Sequence, residues 1–269
     1  MDVQKRQQIF DQAKEWILEA GTLIRSQMNN PLIVNTKSNR NDLVTQLDKE
    51  VELFFTTKIK QKYPNHSILS EEGFGHSLIN KTGITWIIDP IDGTMNLVHQ
   101  RRNFAISIGI YDQEIGEIGF IYDVMYNQLY SAQKNKGAYK NDQQISWLDN
   151  ELLLEHAMIC FNHRWLCENK LVNEKIMQQL VKQVRGVRAY GSAALEFAYV
   201  AEGIVDAYIT MHLEPWDFAA GKIIVQEVGG KITSISGEEI NPFTGTSLLV
   251  CHPQIHQKII DEYLLQAKK

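Results

Sequence analysis

The stretch Trp86-Ile87-Ile88-Asp89-Pro90-Ile91-Asp92-Gly93-Thr94-Met95-Asn96 is the most informative in this chain. Its apolar, β-branched opening predicts a buried strand over Thr85–Ile88 that runs into Asp89. Pro90 has no amide hydrogen to give to a ladder, so the strand is expected to stop there. Asp89 and Asp92 then share a tight turn, and Gly93-Thr94 opens a short helix. Asp-Gly is by itself an ordinary turn dipeptide. The same arrangement also suits a hard cation, which takes oxygen ligands in fixed directions. Gly93 lets the backbone approach an anion, and the free N–H groups of a helix start favour phosphate.

Outward from this strand, Ser67–Ser70, Phe104–Tyr111, Gly116–Asp123 and Gln128–Ala132 are short, β-branched or aromatic, and bounded by turn formers. They read as further strands. Upstream, Ile9, Ala13, Trp16, Ile17, Ala20 and Ile24 recur at helical spacing and predict a long amphipathic helix. A second helix is expected from near Asn41 and Asp42, with Leu43, Leu47, Val51, Phe54 and Ile59 inward, ending at the turn Pro64-Asn65. The polar stretch from Val34 to Asp42 between them reads as a loop. Downstream the pattern alternates. A strand at Ala157–Phe161 precedes a helix over Asn169–Val184, a strand at Val187–Ala189 and a helix from Ser192. A strand at Val205–Ile209, a helix from Pro215, a strand at Ser247–Val250 and a last helix ending at Gln266 follow. Such alternation predicts an α/β (α+β) protein with a mixed sheet and helices packed on it. Two halves, 1–142 and 143–269, are expected to share one compact unit, since no Pro/Gly linker separates them.

Three further positions connect to the central acids. Asp217 lies in the first turn of the helix that Pro215 announces, where an acid ordinarily complements the helix dipole. It also aligns with Ala220, Gly221, Ile224, Val225 and Val228, on the inward stripe. Asp48 aligns in the same way with Val44, Val51 and Phe55. An inward carboxylate is expensive unless it is paired or binds a metal, so two of them on unrelated helices point to a shared cation site. Glu71-Glu72 follows an apolar strand, and strand ends are where sheet proteins hold ligands.

Composition narrows the remaining classes. The chain has 269 residues, 44% of them hydrophobic, enough for a large core. No apolar run approaches the roughly 20 residues of a spanning helix, and no signal segment opens the chain, which predicts a cytoplasmic protein. Cys160, Cys167 and Cys251 form no paired framework and read as reduced thiols. Net charge is −5 with scattered cations, which argues against a nucleic-acid surface. The histidines, His99, His163, His212 and His252 among them, fall at no metal spacing.

Asp89-Pro90-Ile91-Asp92-Gly93-Thr94 and Trp216-Asp217-Phe218-Ala219-Ala220-Gly221 together resemble the two signature motifs of the inositol monophosphatase family. Ser70-Glu71-Glu72-Gly73 is similar to its acidic-pair motif, and Asp42 to Asp48 to its early helix motif, in matching order along nearly the whole chain. The resemblance implies a five-layered αβαβα sandwich of the sugar-phosphatase type, assembled as a homodimer. It implies a lithium-sensitive hydrolase using two to three Mg²⁺ ions to cleave inositol monophosphate with a metal-activated water. Glu71, Asp89 and the Ile91 carbonyl would bind one ion, Asp89, Asp92 and Asp217 a second, and Glu71 a looser third. Thr94, bonded to Asp48, would position the water and help deprotonate it, and Lys37 would belong to a loop that closes over the metals. Asp92, Gly93, Thr94, Gly191, Ser192, Ala193, Thr210 and Asp217 would contact substrate. Ser192 also reads as an ordinary helix cap. Where inositol-preferring members carry a glutamate before the Trp-Asp motif, this chain has Thr210. That departure opens the alternatives of NADP 2′-phosphate, fructose 1,6-bisphosphate or 3′-phosphoadenosine nucleotides. A non-catalytic partnership with RNA-processing or transcription machinery is the alternative from another class.

Overall fold

Ile9, Ala13, Trp16, Ile17, Ala20 and Ile24 form the buried face of the first helix, α1 (Val3–Gln27), whose N-terminus is capped by Asp2. The computed structural model describes residues 1–37, 42–74 and 83–268. Strands β1 (Val34–Thr36) and β2 (Leu43–Thr45) pair antiparallel, so the expected loop opens as strand, and Leu43–Thr45, expected at the start of the second helix, is strand as well. Asn41, where the second helix was expected to begin, lies outside the described residues. Helix α2 (Gln46–Lys62) starts later because Thr45 caps it: its hydroxyl accepts the Leu47 amide, and Asp48 reaches back to the Thr45 amide. Val51, Phe55 and Ile59 are fully buried on α2, whereas Phe54 is only half-buried.

Strands β3 (Ser67–Ser70), β4 (Ile84–Asp92), β5 (Ala105–Asp112), β6 (Ile115–Asp123), β7 (Gln128–Gln133), β8 (Ala138–Lys140) and β9 (Gln143–Gln144) form a seven-stranded sheet in that order. The β3–β4 pair is parallel and the rest antiparallel. Pro90 does not end β4, contrary to expectation. The register against β5 shifts between Asp89 and Asp92, and this irregularity accommodates a proline within the strand. Short helix α3 (Thr94–Gln100) follows Gly93 directly.

The second sheet has five strands: β10 (Met158–Phe161), β11 (Gly186–Arg188), β12 (Ala207–Leu213), β13 (Lys231–Ser234) and β14 (Thr246–Cys251). Their order is β11-β10-β12-β14-β13, parallel around β10 and antiparallel around β14. Helix α4 (Glu174–Gln183) is shorter than expected because Asn173 caps it and Asn169 closes a turn on the amides of Leu171 and Val172. Strand β13 escapes sequence reading because it is four residues long and half-buried on a two-glycine turn.

Five layers result. Helices α1 and α2 pack on one face of the seven-stranded sheet, and α5 (Ala193–Glu202) and α6 (Pro215–Gln226) fill the space between the sheets. On the outer face of the five-stranded sheet lie α4 and the final helix, which starts as α7 (Pro253–Ile259) and continues through a π segment to Ala267. Helix α6 sits very close to the first sheet. A Cβ on Gly109 would stand 2.9 Å from Ala219 Cβ, and one on Gly119 2.7 Å from the Ala220 carbonyl oxygen. This seating places the first turn of α6 beside the end of β4. Among the described residues, no helix is long and apolar enough to cross a membrane.

Candidate active site at the end of β4

Asp89 and Asp92 flank the irregular step in β4, and Asp217 enters from α6. Carboxylate oxygens of all three lie within 4.8 Å of one another. One oxygen of each is fixed by local structure. Asp89 Oδ1 accepts the Ile91 amide at 2.9 Å, and Asp217 Oδ2 accepts the Glu214 amide at 2.8 Å. Asp92 Oδ2 accepts the Ser192 hydroxyl and the Ala194 amide, so it also holds the start of α5. The cluster therefore joins the first sheet to both helices of the middle layer.

Burial, and then the charges of Glu71, Asp92 and Asp217, push the Asp89 carboxyl well above its ordinary range. Burial and then Asp92 do the same to Asp217. Asp92 is raised to about 6 by burial, against the stabilising bonds from Ser192 and Ala194. Lys37 brings its ammonium to Glu71 (2.9 Å) and to Glu72 rather than to the three aspartates. Burial opposes the lysine's charge, yet the two glutamates raise its pKa. Burial also raises Glu71, in opposition to Lys37. An all-oxygen donor set carrying this much crowded negative charge fits a hard divalent cation. Glu71, Asp89, Ile91, Asp92, Gly93, Thr94 and Asp217, all expected from sequence, line one cleft of about 210 Å³.

Asp48, fully buried, supports this cleft from behind. Its Oδ2 accepts the Thr45 amide (2.8 Å) and hydroxyl (2.6 Å), and its Oδ1 accepts the Thr94 hydroxyl at 2.9 Å. The Thr94 hydroxyl is also 3.1 Å from the Ile91 carbonyl oxygen. Burial raises the Asp48 carboxyl, with the Thr45 bonds opposing. Gly93 adopts φ 94°, a left-handed conformation that suits glycine. A Cβ there would press to 3.2 Å on the Asn103 carbonyl oxygen and on Ser192 Cβ.

Gly191, Ser192, Ala193 and Thr210 line a separate pocket of about 400 Å³ with Arg164, Trp165, Glu196 and His212. The Ser192 side chain is committed to Asp92 and to capping α5, and the Thr210 hydroxyl donates to the His212 carbonyl at 3.4 Å. Two buried acids beside the site escaped the sequence reading. Glu196 accepts the amides of Tyr190 (2.7 Å) and Gly191 (3.3 Å), and burial pushes it to about 7. Glu52 accepts three bonds from the segment carrying Glu71 and Glu72. The signal for Glu52 was present: it lies one helical turn after Asp48, in line with Phe55 and Ile59.

A buried carboxylate cluster between the seven-stranded sheet and the middle helices of an αβαβα sandwich is suited to metal-assisted hydrolysis. The model of the inositol monophosphatase family matches residues 5–268, and the chain belongs to that family. It is 50% identical to the inositol-1-monophosphatase of Bacillus subtilis (strain 168), over 96% of this chain and 97% of the relative. A staphylococcal IMPase-II solved with 2′AMP bound is 41% identical with a TM-score of 0.87, covering 96% of this chain and 95% of that one. The same protein has been solved with inositol monophosphate bound. An IMPase/NADP phosphatase complexed with Mg²⁺ and phosphate is 27% identical with a TM-score of 0.89, covering 98% of this chain and 99% of that one.

Proposed function

We propose that this chain is a Mg²⁺-dependent phosphomonoesterase that hydrolyses inositol monophosphate to inositol and phosphate, with water as nucleophile. The observation that carries this reading is the convergence of Asp89, Asp92 and Asp217 in a cleft that Thr94 also lines. Glu71, Asp89 and the Ile91 carbonyl would hold one Mg²⁺, Asp89, Asp92 and Asp217 a second, and Glu71 would help hold a third. Ions bound there would supply Lewis-acid charge to the phosphoryl oxygens and lower the pKa of water. The Thr94 hydroxyl, donating to Asp48, keeps lone pairs with which to orient the attacking water. It takes the water's proton as its own passes to Asp48, whose burial makes it a better proton acceptor. The water oxygen would bond to phosphorus as the phosphorus–alkoxide bond breaks; a second water near Asp217 would protonate the alkoxide, and the proton held by Asp48 would return through solvent to the hydroxide left behind. Gly93 and Thr94 amides would bind phosphate, Lys37 would close the metal side, and Gly191, Ser192, Ala193 and Thr210 would meet the polyol.

A wider substrate range is favoured by one observation, the pocket of about 400 Å³ lined by Thr210 in place of a glutamate. Relatives solved with 2′AMP or named as NADP phosphatase support extension to nucleotide 2′-phosphates. Free Cys160, Cys167 and Cys251 support a reducing, cytoplasmic setting. A homodimer belongs to the same reading, as do the two halves, 1–142 and 143–269, acting as one unit across the shared cleft. The test is phosphate release by purified protein from inositol monophosphate, 2′AMP, NADP and fructose 1,6-bisphosphate, with and without Mg²⁺ and Li⁺. Mg²⁺-dependent turnover with uncompetitive Li⁺ inhibition is expected. Failure to hydrolyse any phosphomonoester would refute the proposal.

A further inference from the structure

We infer that Glu52 is a positioning residue for cation binding, holding the Glu71-Glu72 segment in the shape that presents Glu71 to the cleft. The inference rests on the reading of Glu71 as a cation ligand. Glu52 is fully buried on α2, one turn beyond Asp48. Its Oε1 accepts the Ser70 hydroxyl and the Phe74 amide, each at 2.7 Å, and its Oε2 accepts the Glu72 amide at 2.6 Å. These donors span the turn after β3, so one carboxylate closes the turn around Glu71 through the residues on either side of it. The backbone conformation of Glu71 is thereby fixed from both sides. One face of α2 thus serves the site twice, with Asp48 orienting Thr94 and Glu52 orienting the acidic segment.

Glu52→Gln tests this sharply. Whichever way the amide turns, its NH₂ group meets a backbone N–H, of Glu72 or of Phe74, and that N–H loses its acceptor. Groups that orient metal ligands from behind typically change affinity by about 10–100-fold when removed. Titration of the whole protein with Mn²⁺ alone, following the free ion by electron paramagnetic resonance, should show the binding that depends on Glu71 weakened by about that factor, with the site of Asp89, Asp92 and Asp217 little changed. At saturating metal, kcat should recover to within a few-fold of wild type. A purely structural role would lower the melting temperature equally in chelator and in Mn²⁺, whereas a positioning role shrinks the Mn²⁺-induced rise. Should Glu52→Gln fail to fold, Ser70→Ala removes a single donor and is expected to weaken Mn²⁺ binding by a smaller factor, with the same reduced rise. Unchanged Mn²⁺ affinity in the folded variant would overturn the inference. Because Mn²⁺ binding is read without substrate, a wild-type protein that binds Mn²⁺ normally but hydrolyses nothing would overturn the functional proposal alone.

Discussion

Thr94→Ala removes a hydroxyl lying 2.9 Å from Asp48 Oδ1 and 3.1 Å from the Ile91 carbonyl oxygen, and leaves the carboxylates of the three clustered aspartates in place. If the hydroxyl orients the attacking water and relays its proton, kcat should fall by about 10²–10⁴-fold. At 1.36 kcal/mol per decade this is roughly 2.7–5.4 kcal/mol of barrier. Stability should fall by about 1–3 kcal/mol, the cost of leaving a buried acceptor, Asp48 Oδ1, unpaired. The assay is phosphate release from inositol monophosphate at saturating Mg²⁺, with the Mg²⁺ dependence measured alongside. The Mg²⁺ midpoint should stay close to wild type, and Thr94→Ser, which keeps the hydroxyl, should remain within about tenfold in kcat. Asp48→Asn disables the other half of the relay. If the pair acts as a unit, Thr94→Ala combined with Asp48→Asn will be no slower than the worse single variant. Near-normal kcat in Thr94→Ala, or losses that multiply in the double variant, would refute the relay.

Asp217→Asn removes one of three crowded charges while its amide oxygen can still accept the Glu214 amide. In chelator the variant should melt higher than wild type, by about 2–4 °C per kcal/mol relieved, and its Mg²⁺-induced rise should largely vanish; a lower melting point in chelator would contradict this. Glu196 sits at about 7 in the folded chain against an ordinary 4.5, so between those values the folded state holds a proton that the unfolded state has lost. Stability in chelator should therefore decline as pH rises from 4.5 towards 7, and Glu196→Gln should flatten that slope in denaturant titrations. Identical profiles for the two proteins would remove Glu196 from the effect. Thr210→Glu restores a carboxylate to the roomy pocket, and kcat/KM should then fall for 2′AMP and NADP relative to inositol monophosphate. An unchanged substrate profile would dissociate Thr210 from selectivity.

The local elements whose cause lies in nearby residues were legible in the sequence. Helical spacing from Ile9 to Ile24 foretold α1, and the inward alignment of Asp48 and Asp217 identified two acids that the fold buries or half-buries. The resemblance carried by Asp89–Thr94 and Trp216–Gly221 brought the family and the five layers, both of which the comparisons and the fold bear out. Other features were decided between elements remote in sequence. Pro90 lies inside β4 because the partner strand β5 shifts register across it, and no property of Pro90 itself announces a partner's register. Glu196 looks like a solvated helix acid until the turn it clamps is folded around it, and Glu52, although aligned with the inward Phe55 and Ile59, gains its partners only when the segment after β3 closes on it. The 4.8 Å convergence of three carboxylates depends on α6 resting against Gly109 and Gly119 of the sheet. Periodicity shows which face of an element turns inward. Which atoms meet there is set by packing between elements, because long-range contacts form only when the whole core closes.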